Sequence, residues 1–154
     1  DVYKRQEVTM LSTSPSKEAD AKKLGAHHFA LTTDAATMKK LSNHFDVILN
    51  TVSAPHDYST YLNLLRTNGT MIVVGVPPKP SEVPAFNLIA KRRSIIGSLI
   101  GGIKETQEML DYCAEHNIVS EVEVIPIQQI NEAYERMLKN DVRYRFVIDI
   151  ASLK

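Results

Sequence analysis

A group of hydroxyl side chains with one lysine behind them follows the first apolar run of the chain, within the sequence VTMLSTSPSK at Val8–Lys17. Val8–Leu11 is rich in residues that favour strands, and Pro15 fits the first turn of a helix, where its missing N–H costs nothing. The amphipathic stretch Glu18–Leu24 follows, and Gly25 is a typical helix stop. The pattern predicts a strand, a tight turn that holds the hydroxyl groups, and a helix.

The turn has the chemistry of a phosphate site. In a doubly wound nucleotide-binding sheet, the carboxyl end of the second strand meets the adenosine ribose, where an acidic residue would bind the 2′-OH. The donors in this turn are Ser12, Thr13, Ser14, Ser16 and Lys17, and no carboxylate precedes Glu18. Small donors and one cation suit a 2′-phosphate, which a carboxylate would repel. Alone, the sequence STSPSK favours a simpler role, in which a serine caps the helix.

Strands alternate with helices of about ten residues along the chain, which indicates a parallel α/β sheet with right-handed crossovers. Further strands are predicted at Ala26–Ala30, Phe45–Asn50, Thr70–Val76, Ser94–Ile100, Val122–Ile125 and Arg145–Ile150. Helices are predicted at Lys17–Leu24, Asp34–Leu41, His56–Leu65, Phe86–Lys91, Lys104–His116 and Gln128–Leu138. The apolar runs FDVILN and SIIGSLI are typical of fully buried strands. Asn68-Gly69 predicts a turn, and the four prolines of Pro77–Pro84 predict an extended loop.

Composition limits the function classes. The 154 residues suffice for one compact domain, and 18 basic residues balance 18 acidic ones, so no net field attracts nucleic acid or a membrane. The only cysteine, Cys113, excludes an internal disulfide and a cysteine-rich zinc site, and its helical position predicts a core or half-buried thiol. No signal peptide or apolar run of membrane-spanning length is visible, so a cytoplasmic setting is expected. Residues 1–6 (DVYKRQ) match no period and are expected to be a non-native or artefactual leader.

Eight segments in this order and spacing point to one family: STSPSK, LGA, FDVILNTV, GTMIVVGV, GSLIGG, KETQEMLDYCAEH, INEAYERM and YRFVID. From Glu7 to Lys154 the chain resembles the C-terminal part of zinc-type medium-chain alcohol dehydrogenases. The resemblance is greatest to the NADP-dependent, cinnamyl alcohol dehydrogenase-like branch, which includes broad-specificity aldehyde reductases. It implies an incomplete Rossmann-type doubly wound parallel sheet at 7–103, which binds NADP(H). Residues 104–154 would be the C-terminal segment that returns to a catalytic domain absent from this chain.

The same resemblance implies a set of cofactor-binding residues. Ser12 stands where NAD-preferring relatives keep their ribose-binding acid, and Thr13, Ser14 and Lys17 would complete the 2′-phosphate pocket. Arg145 would reach the pyrophosphate. The remaining residues would line the cofactor from its adenine and ribose end to the nicotinamide and a last wall; they are Thr51, Val52, Val74, Gly75, Val76, Gly97, Ser98 and Leu99.

Several of these residues also have simpler interpretations. Gly75 at a strand end allows the close approach of a flat ligand, but a following turn would need a glycine equally well. Gly101-Gly102 is typical of a plain loop hinge. Arg145, without the resemblance, would be a surface residue of a strand.

The chain also departs from the family. Relatives carry G-x-G-x-x-G after the first strand of the cofactor domain, and no such spacing occurs among Gly25, Gly69, Gly75, Gly97, Gly101 and Gly102. The absent strand would be central in the order 3-2-1-4-5-6, so Val8–Leu11 and Phe45–Asn50 are each expected to lack a neighbour on one side. The helix N-terminus that binds the pyrophosphate would be missing as well.

The zinc ligands of the family, including a four-cysteine structural site, belong to the upstream catalytic domain. No His or Cys cluster replaces them here, so no catalytic or metal-binding residue is expected in this chain. The histidines are expected at the surface or at helix ends; they are His27, His28, His44, His56 and His116.

The resemblance implies a fragment of an enzyme that transfers a hydride between NADP(H) and a primary alcohol or aldehyde. The fragment is expected to be inactive alone, and the intact protein is expected to be a homodimer. Two alternatives stay open: a zinc-free NADPH quinone or enoyl reductase of the same superfamily, and a non-catalytic nucleotide-binding remnant. A methyltransferase has a similar sheet, but STSPSK and the later segments argue against it.

Overall fold

The computed structural model describes residues 6–139 and 141–153 of the 154-residue chain. The chain forms two compact units, of which the first ends at Ile100 and the second begins at Gly101. The leader expected at 1–6 lies outside the described residues, apart from Gln6.

Strands and helices alternate throughout the first unit. Its strands are β1 (Thr9–Ser12), β2 (His28–Leu31), β3 (Phe45–Asn50), β4 (Leu65–Val73) and β5 (Ser94–Gly97). Its helices are α1 (Glu18–Lys23), α2 (Ala35–Lys40), α3 (Tyr58–Leu62) and α4 (Ala85–Ile89). No helix or strand interrupts the proline-rich loop, in agreement with the sequence.

Local signals set several of these boundaries. Gly25 follows α1 with a φ of 95°, a left-handed conformation that favours glycine. Asp34 caps α2, because its Oδ1 accepts a hydrogen bond from the N–H of Ala36 at 3.0 Å. Both signals were visible in the sequence.

All strand pairs are parallel, which confirms the α/β class. β1 pairs with β2 from Thr9↔His28 to Ser12↔Leu31. A three-stranded sheet has the order β3-β4-β5. Within the described part of the chain, β1 pairs with β2 alone and β3 with β4 alone, so each of these strands has one free edge.

The core of the first unit lies between α3 and the three-stranded sheet. Leu62, Leu65 and Met71 are fully buried, and Ile48 and Tyr58 join the same apolar cluster. Burial of apolar side chains of this size contributes about 1.5–3 kcal/mol each. This cluster fixes the position of β3 and β4, and therefore of the residues that follow them.

The expectation that FDVILN and SIIGSLI are fully buried strands is wrong. In β3, Ile48 is buried, but Val47 and Leu49 are each 55% exposed. In and after β5, Ile96 and Leu99 are also exposed. β3 and β5 are the outer strands of their sheet, and the described residues cover only one face of β3.

The turn predicted at Asn68-Gly69 is part of β4. The strand pairing shifts there, from Phe45↔Leu65 to Val47↔Thr70, so β4 bulges away from its partner. Asn68 has a φ of 64°, and a Cβ on Gly69 would lie 3.0 Å from the Arg66 carbonyl oxygen. The turn-favouring residues Asn68 and Gly69 therefore form a bulge within a longer strand.

The second unit is a single parallel βαβ unit preceded by a long helix. It contains α5 (Ile103–Glu115), β6 (Glu123–Pro126), α6 (Ile130–Leu138) and β7 (Phe146–Asp149). β6 pairs with β7 in parallel, and Arg136 of α6 bonds to Glu123 at 2.8 Å. No helix among the described residues has the length and apolar character needed to cross a membrane.

Candidate cofactor site

The hydroxyl turn after β1 is organised by Ser12. Its Oγ accepts a hydrogen bond from the N–H of Ser14 at 3.1 Å, and Ser14 Oγ lies 2.9 Å from Ser16 Oγ. A single 3-10 turn, Pro15–Lys17, then leads into α1. No side chain caps this 3-10 turn or α1, so the capping role that STSPSK alone favoured is wrong.

The donors of this turn are accessible. Thr13 and Lys17 are exposed, and no described residue forms a hydrogen bond or ion pair with the Lys17 ammonium group. The neighbouring carboxylate, Glu18, is paired with Lys22 at 2.7 Å. The hydroxyl groups and one available cation fit a phosphate monoester.

The carboxyl ends of the three-stranded sheet bring three predicted segments together. The carbonyl oxygen of Asn50 accepts hydrogen bonds from the N–H groups of Val74 at 3.0 Å and Gly75 at 3.2 Å. The N–H of Ser98 donates to the carbonyl oxygen of Val73 at 3.1 Å. The segments so assembled at one sheet edge are 51–52, 74–76 and 97–99.

Gly75 is required by a close approach within the chain. A Cβ on Gly75 would lie 2.5 Å from the carbonyl oxygen of Val52 and 2.8 Å from the carbonyl carbon of Thr51. Its φ lies outside the left-handed region, so backbone strain is not the reason for the glycine. We call this contact between residues 51–52 and 74–75 the backbone junction.

The surface around the backbone junction is apolar and open. Val52, Val74, Val76 and Leu99 all have exposed side chains. A Cβ on Gly97 would meet no atom within 4 Å. Such a surface suits a flat ring that needs to be shielded from water.

Asn50 and His56 were not singled out from the sequence, although they hold this edge. Asn50 is only 7% exposed, and its Oδ1 accepts from the N–H of Val52 at 3.1 Å while its Nδ2 lies 2.9 Å from His56 Nε2. His56 is half-buried, with Nδ1 2.8 Å from the carbonyl oxygen of Ala54, and it directly precedes Asp57, the N-cap of α3, in agreement with a helix-end histidine. A polar residue ending the apolar run FDVIL was the signal that could have identified Asn50.

Arg145 lies in the second unit, directly before β7, with an exposed side chain. Its carbonyl oxygen accepts a hydrogen bond from the N–H of Glu123 at 2.9 Å. Its contact with a pyrophosphate stays a prediction.

A cavity of about 350 Å³ lies at the opposite, amino ends of the same strands. Arg93, which is 8% exposed, lines it and donates to the carbonyl oxygens of Leu65 and Asn87 and to the side chains of Asn43 and Asn63. Burial lowers the pKa of the Arg93 guanidinium. Because its N–H groups are all used within the chain, we interpret Arg93 as a structural residue.

The described residues contain no group of three or more His, Cys, Asp or Glu side chains that could hold a metal ion. Cys113 is half-buried, as expected, and its Sγ lies 3.7 Å from the sulfur of Met109. The side chains described here therefore do not fit a zinc site.

Comparison with known proteins defines the class. Residues 4–115 match the family described as zinc-binding dehydrogenase, and the chain belongs to this family. The resemblance seen in the sequence is confirmed.

Individual relatives make the comparison more specific. The chain is 57% identical over 147 residues to the probable formaldehyde dehydrogenase AdhA of Bacillus subtilis, covering 96% of this chain and 42% of that protein. It is 55% identical over 148 residues to the NADP-dependent alcohol dehydrogenase C 1 of Mycolicibacterium smegmatis, with the same coverage. A cinnamyl alcohol dehydrogenase structure from Sorghum bicolor superposes with a TM-score of 0.89 at 42% identity, covering 96% of this chain and 42% of that one. The chain thus spans less than half the length of these relatives.

Proposed function

We propose that the intact protein containing this chain transfers a hydride between NADP(H) and a primary alcohol or aldehyde. The hydroxyl turn carries the proposal, because it offers Ser12 and Lys17 where an NAD-binding site would need a carboxylate. The relatives named for NADP-dependent alcohol oxidation and for formaldehyde support the cofactor and the substrate class.

The residues of this chain bind and orient the cofactor. Ser12, Thr13 and Ser14 would donate to the 2′-phosphate, and Lys17 would neutralise part of its charge. Arg145 would provide a fixed cation for the pyrophosphate. The bound nicotinamide supplies the hydride acceptor or donor.

The apolar edge would exclude water from the reacting ring. Its residues are Thr51, Val52, Val74, Gly75, Val76, Gly97, Ser98 and Leu99. Holding the ring in one orientation lowers the entropic cost of hydride transfer. Zinc, which the family binds, would take its ligands from a part of the protein outside this chain, so the chain alone is expected to be inactive.

The intact enzyme is proposed to act in the cytoplasm as a homodimer. The single cysteine agrees with a reducing compartment. Ile96, Leu99 and Ile100, in and after the outer strand β5, are exposed apolar residues that a second copy would cover. Sedimentation of the intact enzyme tests this assembly.

The cofactor assignment is tested in the intact enzyme with the double variant Ser12→Asp, Lys17→Ala. Removing a cation and adding a carboxylate should reduce the preference for NADPH over NADH, measured as the ratio of kcat/KM values, by on the order of 100-fold. Lys39→Ala, which removes an exposed lysine in the last turn of α2, is the matched control and should leave the preference unchanged.

Unchanged NADPH affinity in the double variant would remove these residues from the 2′-phosphate site. An intact wild-type enzyme that reduces no aldehyde with NADPH would overturn the proposed reaction.

A further inference from the structure

Asn50 connects both segments of the backbone junction. Its carbonyl oxygen accepts from the N–H groups of Val74 and Gly75, while its side-chain Oδ1 accepts from the N–H of Val52. The two candidate cofactor-binding segments, 51–52 and 74–75, are therefore bonded to one buried residue. A change in the Asn50 side chain would alter residues 51–52 first.

The hydrogen bonds fix the state of His56. Because Asn50 Oδ1 accepts from Val52, it is the amide nitrogen, a donor, that faces His56 Nε2 at 2.9 Å. His56 Nε2 must then be an unprotonated acceptor, which leaves the proton on Nδ1, where it is donated to the carbonyl oxygen of Ala54 at 2.8 Å. The arrangement requires a neutral imidazole.

A protonated His56 would break this arrangement. Its Nε2–H would face the Asn50 amide N–H, so that two donors would meet beside a side chain that is only 7% exposed. Rotating the amide would satisfy His56 but would then turn a donor toward the N–H of Val52. Either way one donor of this part-buried contact is left without an acceptor, which disfavours the protonated imidazole.

We propose that Asn50 and His56 are positioning residues of the cofactor site, which hold residues 51–57 in the binding geometry only while His56 is neutral. This inference rests on the proposed function, because it assigns the backbone junction to the cofactor site. It predicts that cofactor affinity falls as the pH decreases.

The described contacts of the His56 ring are with two tyrosine rings, Asn50 and Ala54. Its ring packs against those of Tyr58 at 4.9 Å and Tyr61 at 5.5 Å between centroids. The carboxylate of the adjacent Asp57 is bonded to Ser59 and Thr60 at the start of α3. Within the described part of the chain, the imidazole nitrogens bond only to Asn50 and Ala54.

The test measures the NADPH dissociation constant of the intact enzyme, by nicotinamide fluorescence, between about pH 8 and pH 5.5, where histidines usually titrate. His56→Gln keeps an acceptor for Asn50 but has no ionisable side chain. The pH dependence of its NADPH affinity therefore gives the background that comes from ionisation of the cofactor phosphate. The wild type should lose on the order of tenfold more affinity than His56→Gln over this range. His44→Gln, an exposed histidine before the amino end of β3, is the matched control and should keep the wild-type profile.

Asn50→Asp gives the opposite trend. A carboxylate still accepts from Val52, but it cannot donate to a neutral Nε2 and pairs instead with the protonated imidazole. The NADPH affinity of this variant is compared with that of His56→Gln at the same pH. The ratio of the two affinities should be higher at low pH than at high pH. Asn50→Leu should bind on the order of tenfold more weakly than the wild type at pH 8.

The outcomes separate the two proposals. If the wild type binds NADPH and its pH profile is unchanged in both Asn50→Asp and His56→Gln, the positioning role is wrong and the proposed function stands. If the wild type does not bind NADPH at any pH, the proposed function is wrong and this inference falls with it. Should Asn50→Leu fail to fold, the opposite pH trends of the wild type and Asn50→Asp, each measured relative to His56→Gln, still decide.

Discussion

Gly75 follows β4 and Gly97 ends β5, so that the two glycines lie at the carboxyl ends of neighbouring strands of one sheet. A Cβ on Gly75 would lie 2.5 Å from the backbone of Val52, whereas a Cβ on Gly97 would meet nothing within 4 Å. The fold itself therefore requires Gly75 but not Gly97. A glycine at a candidate site indicates a ligand only when the packing of the chain itself would leave room for a larger residue.

The same contrast holds for the segments around the two glycines. Residues 50–52 and 74–75 form the backbone junction, tied by main-chain and Asn50 side-chain hydrogen bonds. Residues 97–99 are exposed; Gly97 is the last paired residue of β5, and the N–H of Ser98 donates to the carbonyl oxygen of Val73. Substitutions in the junction should change both stability and cofactor binding. Substitutions at residues 97–99 should change cofactor binding and leave stability nearly unchanged.

The largest effect is expected for Gly75→Ala. The atoms that its methyl group would meet belong to the backbone of Thr51 and Val52, which cannot move away as a flexible side chain can. Overpacking of this kind costs about 1–3 kcal/mol, and the free energy of unfolding in urea should fall by that amount. Gly97→Ala is the matched control, and equal stability of the two variants would contradict the contrast.

A smaller effect is expected for Asp57→Ala, at the far end of the segment that Asn50 anchors. Asp57 Oδ1 accepts from the N–H of Ser59 at 2.9 Å and Oδ2 from the N–H of Thr60 at 3.1 Å, which caps α3. Loss of such a cap costs about 1 kcal/mol, which thermal unfolding would detect. Asp57→Ser keeps a side-chain acceptor for the cap and should therefore retain most of the wild-type stability.

The Asp57 cap also has a pH signature. The Thr60 hydroxyl, which donates to Oδ2 at 2.6 Å, is the main cause of the lowered pKa of Asp57, and the backbone N–H groups add to it. A carboxylate with a lowered pKa in the folded state stabilises the protein above its unfolded-state pKa, and this contribution is lost as the pH falls through the folded-state pKa. The stability difference between the wild type and Asp57→Ala should therefore shrink in acid; a difference that grows would exclude this cap.

The order and type of the elements could be predicted because their signals are local. The limits of β3, the cap at Asp34 and the stop at Gly25 depend on residues within one or two turns. The donors of the hydroxyl turn lie within six positions, Ser12–Lys17, so they too were visible in the sequence.

Long-range packing and side-chain geometry could not be predicted. The exposure of Val47 and Leu49 depends on what covers β3 and not on their apolar character. The pairing of Asn50 with His56 needs a loop conformation that no periodicity encodes. Arg93 is buried because acceptors as distant as Asn43, 50 residues away, meet around it.

The smallest and most informative effect is expected for Gly97→Ala. Because the added methyl group meets no atom of the chain and φ is not positive, stability should change by less than about 0.5 kcal/mol. If the open space beside Gly97 is the wall of the cofactor site, the methyl group should occupy cofactor volume and raise the NADPH dissociation constant of the intact enzyme about threefold, with a larger rise for Gly97→Val. Ser94→Ala, at the amino end of the same strand, should leave the dissociation constant unchanged. Wild-type affinity in both Gly97 variants would mean that this open space is not cofactor space, and the contrast with Gly75 would then reflect packing alone.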